Sequence, residues 1–329
     1  MTCTCSTPIR WVAPLLFFLA LTLGACGGDD KDTPIADRKV RVVTTTSMLA
    51  DLAREIGGER VEVEGLMGPG VDPHLYRPRE SDVARLVEAD MVLYNGLELE
   101  GKMGEALEQV EGLGIGAEPV ANTVRSSRLL QPEEFEGAFD PHVWMDVSLW
   151  RDVAETVAEV LADADTAHAE IYAANLAAYD AELEALDEYV RARVQDVPED
   201  QRVIVTAHDA FNYFGAAYGF EVRGLQGLST ATEAGTGDVQ DLAAFVADND
   251  IPAMFVETSV SDRSINAVLE AVRARGGTVE IGGSLFSDAL GDPDTPEGTY
   301  EGMIRHNVET IVSALSGDTT GPVAARVPS

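Results

Sequence analysis

Cysteine is almost absent from this 329-residue chain, and its scarcity limits the metal chemistry available to the protein. The three cysteines are Cys3, Cys5 and Cys26, all near the N-terminus. Residues 27–329 can therefore form neither disulfides nor thiolate metal sites. Any metal in this part of the chain must be bound by histidine, aspartate or glutamate.

Basic residues are also scarce: 23 lysines and arginines stand against 57 acidic residues, giving a formal net charge of -34. Such a surface repels phosphate backbones, which excludes nucleic acid as a partner. It would concentrate cations, although acidic residues that keep a protein soluble, as in a saline habitat, explain the charge equally well. With 45% hydrophobic and 24% charged residues, the composition is otherwise typical of a soluble globular protein.

Long apolar runs are missing as well. The run at residues 11–23 is shorter than the roughly 20 residues of a membrane-spanning helix and follows the basic Arg10. It has the length of a signal-peptide core, so residues 1–25 are predicted to be a lipoprotein signal peptide. Leu23-Gly24-Ala25-Cys26 resembles the lipobox of bacterial lipoproteins, which implies a lipid on Cys26. The alternative is an ordinary secretory signal with an incidental cysteine.

The remaining chain divides by its pattern into two α/β lobes and a connector. Short β-branched runs alternate with amphipathic stretches, which indicates βα units with parallel sheets. The first helix is expected to begin at Ser47 as its N-cap. The predicted segments are a lipid-anchored flexible tether (26–38), an N-terminal lobe (39–160), a long linker helix (161–198), a C-terminal lobe (199–317) and a tail (318–329).

The connector is predicted from the longest helical pattern in the sequence. Apolar residues recur at three- and four-residue steps from Tyr172 to Val194, and neither glycine nor proline interrupts residues 167–197. About 28 helical residues would span roughly 42 Å, comparable to the width of a domain. Many acids and alanines indicate a partly exposed strut. A coiled-coil dimer is the alternative, but the heptads are few, so we expect a monomer.

A repeated tripeptide stands out because the chain has only five histidines. Asp-Pro-His occurs at residues 72–74 and again at 140–142, while His208 and Asp288 follow predicted strands. Ligands of open α/β sheets gather beyond the carboxyl ends of strands. A histidine in a loop is weak evidence when taken singly. Together, these residues are consistent with a metal site in a cleft between the lobes.

Other polar residues fit structural roles better. His168 lies among alanines and acids and is expected to be solvated, and His306 is expected to be buried or to cap a helix. Asp72 and Asp140 are expected to shape their loops. Glu257 ends a strand and is either an outer partner of the metal or a reserve ligand.

Longer motifs carry a resemblance to a known family. Residues 40–315 resemble the metal-binding solute receptors of bacterial zinc and manganese ABC importers, and most closely the TroA-like members. The motifs are GVDPHLY (70–76), LYNGL (93–97), FDPHVW (139–144), VTAHDAF (205–211), GLQG (224–227) and IGGSLFSD (281–288).

The resemblance implies a set of four metal ligands divided between the lobes. His74 and His142 would come from the N-terminal lobe, and His208 and Asp288 from the C-terminal lobe. It also implies that the long helix is a stiff connector. Zinc-dedicated members often carry a histidine- and acid-rich loop before the second ligand, and residues 117–138 contain no histidine.

Three imidazoles and one carboxylate favour Zn²⁺ over Mn²⁺, which prefers more oxygen ligands. Manganese-dedicated relatives tend to have a glutamate where His208 stands, although TroA-like members can accept both ions. The resemblance implies an exported, lipid-anchored carrier on a bacterial membrane that delivers the ion to an ABC permease and is not an enzyme. The alternatives are a mononuclear zinc hydrolase with Glu257 as the base, and a surface adhesin with a structural metal.

Overall fold

The computed structural model describes residues 1–2, 33–132 and 137–316, and in its N-terminal lobe four short strands pair in parallel. Their order across the sheet is β2-β1-β3-β4. The first strand is buried along nearly its whole length, as expected for a strand covered on both faces. The strands are β1 (Val40–Thr44), β2 (Val61–Gly65), β3 (Met91–Tyr94) and β4 (Gly116–Pro119).

The C-terminal lobe is built from two parallel strand pairs. β5 pairs with β6 and β7 with β8, and β5 also contacts β7. The carboxyl ends of β5 and β7 therefore lie next to each other. The strands are β5 (Val203–His208), β6 (Glu221–Gln226), β7 (Ala253–Glu257) and β8 (Glu280–Leu285).

Helices pack against the strands of both lobes and connect the lobes. The longest described helix, α5, runs for 25 residues, and its buried side chains lie on one side while most others are exposed. The predicted connector is therefore present, within the predicted range. The helices are α1 (Ser47–Gly57), α2 (Glu80–Glu88), α3 (Gly104–Gly112), α4 (Val147–Ala164), α5 (Ala169–Arg193), α6 (Asn212–Tyr218), α7 (Thr236–Asp248), α8 (Arg263–Ala274) and α9 (Tyr300–Leu315).

One hydrophobic core joins both lobes to the connector. It contains Leu52 of α1, Trp150 of α4, Leu183 of α5, Phe255 of β7 and Met303 of α9, all essentially inaccessible to solvent. Two smaller cores lie within single lobes. The strut interpretation is thus incomplete, because the lobes are also joined by continuous apolar packing around α5.

Several local details differ from the expectations. The N-cap of α1 is Thr46 instead of Ser47, because the Thr46 hydroxyl accepts a hydrogen bond from the Leu49 backbone. The sequence pattern did not predict α4 or β4. β5 extends to His208, which ends the strand and does not follow it. These elements depend on packing against neighbours and not on local periodicity alone.

The predicted N-terminal and C-terminal segments are described only in part. The signal peptide, Cys26 and the tail at 318–329 lie outside the described residues, apart from residues 1 and 2. At the end of the predicted tether, Ile35–Asp37 forms a 3-10 turn and Arg38 pairs with Asp90. No helix of the described part of the chain is both long and apolar enough to cross a bilayer.

Candidate metal centre

Four residues from distant parts of the sequence meet at the carboxyl ends of the strands. His74 lies in the loop between β2 and α2, His142 precedes a 3-10 turn, His208 ends β5, and Asp288 follows β8. One nitrogen or oxygen atom from each lies within 4.8 Å of the others. All four side chains are buried, with at most 5% of any residue exposed. The structure therefore brings together all four residues that the resemblance implied.

The spacing of these atoms suits a small tetrahedral ion. The Nε2 atoms of His74 and His142 are 3.3 Å apart, as are His208 Nε2 and Asp288 Oδ2. His142 Nε2 lies 3.5 Å from Asp288 Oδ1. Tetrahedral ligands about 2.0–2.1 Å from zinc are about 3.3 Å from one another. These three pairs thus already have the spacing of zinc ligands, and all four ligand atoms lie within 4.8 Å of one another.

Three atoms at the centre lack ordinary hydrogen-bond partners. Within the described residues, His208 Nε2 and both carboxylate oxygens of Asp288 are buried without an aligned hydrogen bond. Leaving a buried polar group unsatisfied costs about 1–3 kcal/mol, and more for a charged group. A cation among these atoms would satisfy His208 Nε2 and one of the two Asp288 oxygens and would offset the charge of the carboxylate. The residues present therefore fit a metal ion.

Two of the imidazoles are oriented by carboxylates behind them. His142 Nδ1 is 2.7 Å from Asp140 Oδ1, and His208 Nδ1 is 2.7 Å from Glu257 Oε2, although the second pair is poorly aligned for a hydrogen bond. Glu257 Oε1 also accepts from the His208 backbone N–H at 3.0 Å. A carboxylate on Nδ1 leaves Nε2 free to bind a metal. Glu257 therefore faces the back of His208 and does not join the four atoms.

The repeated Asp-Pro-His tripeptide has the same local geometry at both positions. Asp72 Oδ1 accepts a hydrogen bond from the His74 backbone N–H at 2.8 Å, and Asp140 Oδ1 accepts one from the His142 backbone N–H at 2.9 Å. Each aspartate side chain thereby closes a turn with the backbone of the histidine two residues later. The loop-shaping role expected for both aspartates is observed.

The charges of the site are set by burial and by the neighbouring groups. Burial lowers the pKa of His74 to about 3, so its imidazole is neutral. Burial would also lower the pKa of His208, but the Glu257 and Asp288 carboxylates outweigh it and raise that pKa well above its ordinary value. For Asp288, burial favours a higher pKa, yet the surrounding imidazoles hold the pKa below its ordinary value. A buried carboxylate anion thus faces the imidazoles, which attracts a cation.

The other two histidines are held elsewhere. His168 contacts the buried carboxylate of Asp165, and His306 Nε2 lies 3.0 Å from the Ser284 carbonyl. The expected solvation of His168 is only partial, because its side chain is 28% exposed. Neither histidine belongs to the metal cluster found among the described residues.

A buried glutamate that the sequence pattern did not single out supports the loop beside His142. Glu100 accepts hydrogen bonds from the Thr45 hydroxyl at 2.6 Å and from the Asn95 backbone at 2.8 Å. The Asn95 amide in turn donates to the Pro141 carbonyl at 3.0 Å. The Asn95-Gly96 turn can be recognised in the sequence, but the contact of Asn95 with Pro141 on another loop cannot.

An opening above the centre leads towards solvent. A cavity of about 540 Å³ is lined by His74 and by Glu98, Glu233 and Asp238, among others. Its volume is far larger than a single ion needs. The acidic lining provides a favourable path for a cation moving between solvent and the buried ligands.

Comparison with known proteins gives matches over most of the chain. A family model described as "ZnuA: Zinc-uptake complex component A periplasmic" matches residues 42–314. "Zinc-binding protein TroA" of Treponema pallidum (strain Nichols) is 50% identical over 281 residues, which cover 85% of this chain and 90% of that protein. "Manganese-binding lipoprotein MntA" of Bacillus subtilis (strain 168) is 46% identical over 300 residues, covering 91% and 97%.

The solved structures agree on the fold. The structure described as periplasmic zinc binding protein TroA from Treponema pallidum is similar with a TM-score of 0.82 at 49% identity. The match covers 84% of this chain and 99% of that chain. Two α/β lobes with parallel sheets and one long helix are therefore an arrangement that this chain shares with a solved relative.

Proposed function

This chain belongs to the family of periplasmic zinc-uptake components called ZnuA, and from that membership we propose that it captures a divalent metal ion for an ABC importer. The ion is the cargo, bound by His74, His142, His208 and Asp288. The observation that carries the proposal is the convergence of these four buried side chains at metal-ligand spacing, with unsatisfied atoms facing one another.

Zinc is the favoured cargo. The similar proteins bear both zinc-binding and manganese-binding names, so similarity alone does not choose between the ions. The donor set favours zinc, because three imidazole nitrogens and one carboxylate suit tetrahedral zinc. Manganese lies below zinc in the affinity order of first-row divalent ions and prefers oxygen ligands.

Release of the cargo requires that the ligands separate. His74 and His142 belong to the N-terminal lobe, whereas in the C-terminal lobe His208 ends β5 and Asp288 follows β8. Docking on a membrane permease that moved the lobes apart would remove part of the coordination at once. Continuous packing around α5 restricts this motion to small shifts of the loops that carry the ligands.

The protein is proposed to lie outside the cytoplasm as a monomer, anchored by a lipid on Cys26. The leader pattern and the Leu-Gly-Ala-Cys motif support the anchor. The similar MntA protein bears the name lipoprotein. Labelling with a radioactive fatty acid, which Cys26→Ser should abolish, would test the anchor. Measurement of the molar mass in solution by light scattering would test the monomer.

A hydrolase is less consistent with this site. Catalytic zinc usually keeps three protein ligands and an open position for water. Here four side chains point at one another, and Glu257, the candidate base, lies behind His208 at Nδ1. We therefore propose a binding protein and not an enzyme.

Metal analysis of the purified protein tests this function. The metal-free chain, dialysed against equal concentrations of zinc and manganese, should retain one ion per chain, predominantly zinc. His74→Ala and Asp288→Ala should retain far less than one ion after the same dialysis. Full retention by either variant would contradict the ligand set, and a predominance of manganese would overturn the choice of cargo.

A further inference from the structure

Trp144 lies between two of the proposed ligands without belonging to them. It follows His142 by two residues in the N-terminal lobe, and its side chain is 1% exposed. Its ring packs edge-on against the His142 imidazole, with centroids 5.2 Å apart. Its indole N–H donates to the backbone carbonyl of Ser287 at 2.8 Å. Ser287 immediately precedes Asp288, so one side chain contacts both ligand loops.

Other hydrogen bonds tie the Asp288 loop to the N-terminal lobe. The Leu290 backbone N–H donates to Ser47 Oγ of α1 at 2.9 Å. Further along, the Tyr300 hydroxyl donates to the Trp144 carbonyl at 2.7 Å, and the Tyr300 backbone N–H donates to Asp51 Oδ2 at 2.8 Å. Asp288 therefore lies in a C-terminal loop whose two flanks are attached to the other lobe.

The same loop is also attached to its own lobe. Ser287 Oγ is 2.8 Å from Ser259 Oγ, beyond the end of β7, and Asn307 of α9 exchanges two hydrogen bonds with the Phe286 backbone. His208 differs, since its carboxylate partner Glu257 lies in its own lobe. The position of Asp288 thus depends on bonds to both lobes, and of the bonds described here from the N-terminal lobe, the Trp144 bond is the one that reaches the residue next to Asp288.

We propose that Trp144 is a positioning residue that fixes Asp288 relative to His142 and thereby sets how slowly the metal leaves. This inference rests on the proposed function. The indole N–H bridges two loops whose ligand atoms are 3.5 Å apart. Without it, the Ser287 carbonyl loses its donor and the Asp288 loop is free to shift away from the ion. Motion between the lobes has to break or bend this bond for the cargo to be released.

Replacement by phenylalanine separates the hydrogen bond from the packing, because Trp144→Phe keeps an aromatic ring beside His142 and removes the donor. The chain offers a matched control in Trp150 of α4, which is equally buried and stacks on Tyr300 with centroids 5.1 Å apart. Its indole N–H lies beside the Tyr179 hydroxyl of α5 and, among the described residues, makes no hydrogen bond to a loop that carries a ligand. Trp150→Phe therefore makes the same chemical change without removing a bond between the lobes.

The experiment measures zinc release from the zinc-loaded protein into an excess of a chromogenic chelator, by stopped flow. We expect Trp144→Phe to bind one zinc per chain and to release it faster, by about the 10–100-fold that loss of an outer partner costs a metal site. Trp150→Phe should release zinc within about twofold of the wild-type rate. The cobalt-loaded Trp144→Phe protein should also show altered visible absorption bands, since these bands report ligand geometry.

Equal release rates for Trp144→Phe and Trp150→Phe, with unchanged cobalt bands, would overturn the inference. Ser47→Ala gives a second test that leaves the aromatic core intact, because it removes the acceptor for Leu290 at the other flank of the loop. Ser47→Ala should also release zinc faster than the wild type. If Trp144→Phe does not fold, a wild-type release rate in Ser47→Ala overturns the inference. Failure of the wild-type protein to retain any zinc would instead refute the proposed function.

Discussion

The two halves of the metal centre position their histidines by different means. In the N-terminal half, the carboxylate that orients His142 comes from Asp140, two residues earlier on the same loop. In the C-terminal half, the carboxylate behind His208 comes from Glu257, on a neighbouring strand. One ligand is thus built by a local turn, and the other by the packing of β5 beside β7. Local sequence can specify the first arrangement but not the second.

The largest expected effect is the loss of a ligand from either half. His142→Ala and His208→Ala should each weaken zinc binding by more than the roughly 100-fold that removing an outer partner can cost. Each change removes a donor atom and leaves Asp288 less well compensated. Chelator competition measures the dissociation constants.

His168→Ala is the control for these ligand variants, because His168 contacts Asp165 and lies outside the metal cluster. It should bind zinc as the wild type does. A His208→Ala protein with wild-type affinity would show that His208 is not a ligand.

Zinc binding should link the two halves of the metal centre and stabilise the fold. An ion that binds only the folded state adds about 2.7 kcal/mol to the free energy of unfolding at 100 times its dissociation constant. The metal-free protein should remain folded, because the main hydrophobic core does not depend on the site. Urea unfolding followed by circular dichroism, with zinc or with chelator, measures both quantities. Unfolding on chelation would favour a structural metal, as in the adhesin alternative.

The next largest effect distinguishes the two carboxylates that orient the histidines, Glu257 and Asp140. In Glu257→Gln, an amide nitrogen in place of Oε2 would lie 2.7 Å from His208 Nδ1, so that two hydrogen-bond donors would face each other. In Asp140→Asn, the retained Oδ1 can keep both of its contacts with His142. We expect zinc affinity to fall by about 100-fold in Glu257→Gln and about 10-fold in Asp140→Asn.

Zinc titration of both carboxamide variants gives the comparison, with the exposed Glu270→Gln as the control, since Glu270 pairs with Arg273 on the surface of α8. Equal losses in the two variants would show that the local turn does not protect His142. A loss in the control would point to the overall charge of the protein.

The smallest effect concerns the attachment of α5 to α9, which lies away from both halves. Arg193 pairs with Glu309 at 2.8 Å, and both side chains are about a third exposed. Because exposed pairs contribute roughly 0.2–1 kcal/mol, Glu309→Gln should lower the free energy of unfolding by that amount and leave zinc affinity unchanged. Thermal unfolding and zinc titration on the same sample test this, and weakened zinc binding would show that α9 transmits strain to the site.

The sequence predicted which four side chains converge better than it predicted the contacts that support them. The repeated Asp-Pro-His drew attention to His74 and His142, and the strand-end positions to His208 and Asp288. The contact of Trp144 with Ser287 was not visible, because these residues are 143 positions apart and no local pattern links them. α4 was missed although 18 residues long, and its burial against α5 and α1 explains its place in the fold.

Zinc-edge X-ray absorption of the zinc-loaded protein tests the central claim most directly. Three imidazole nitrogens at about 2.0–2.1 Å and one carboxylate oxygen at about 2.0–2.2 Å should surround the ion. In His208→Ala, one imidazole contribution should be missing from the spectrum. A first coordination shell of oxygen atoms alone, or an unchanged spectrum in His208→Ala, would contradict binding by His74, His142, His208 and Asp288.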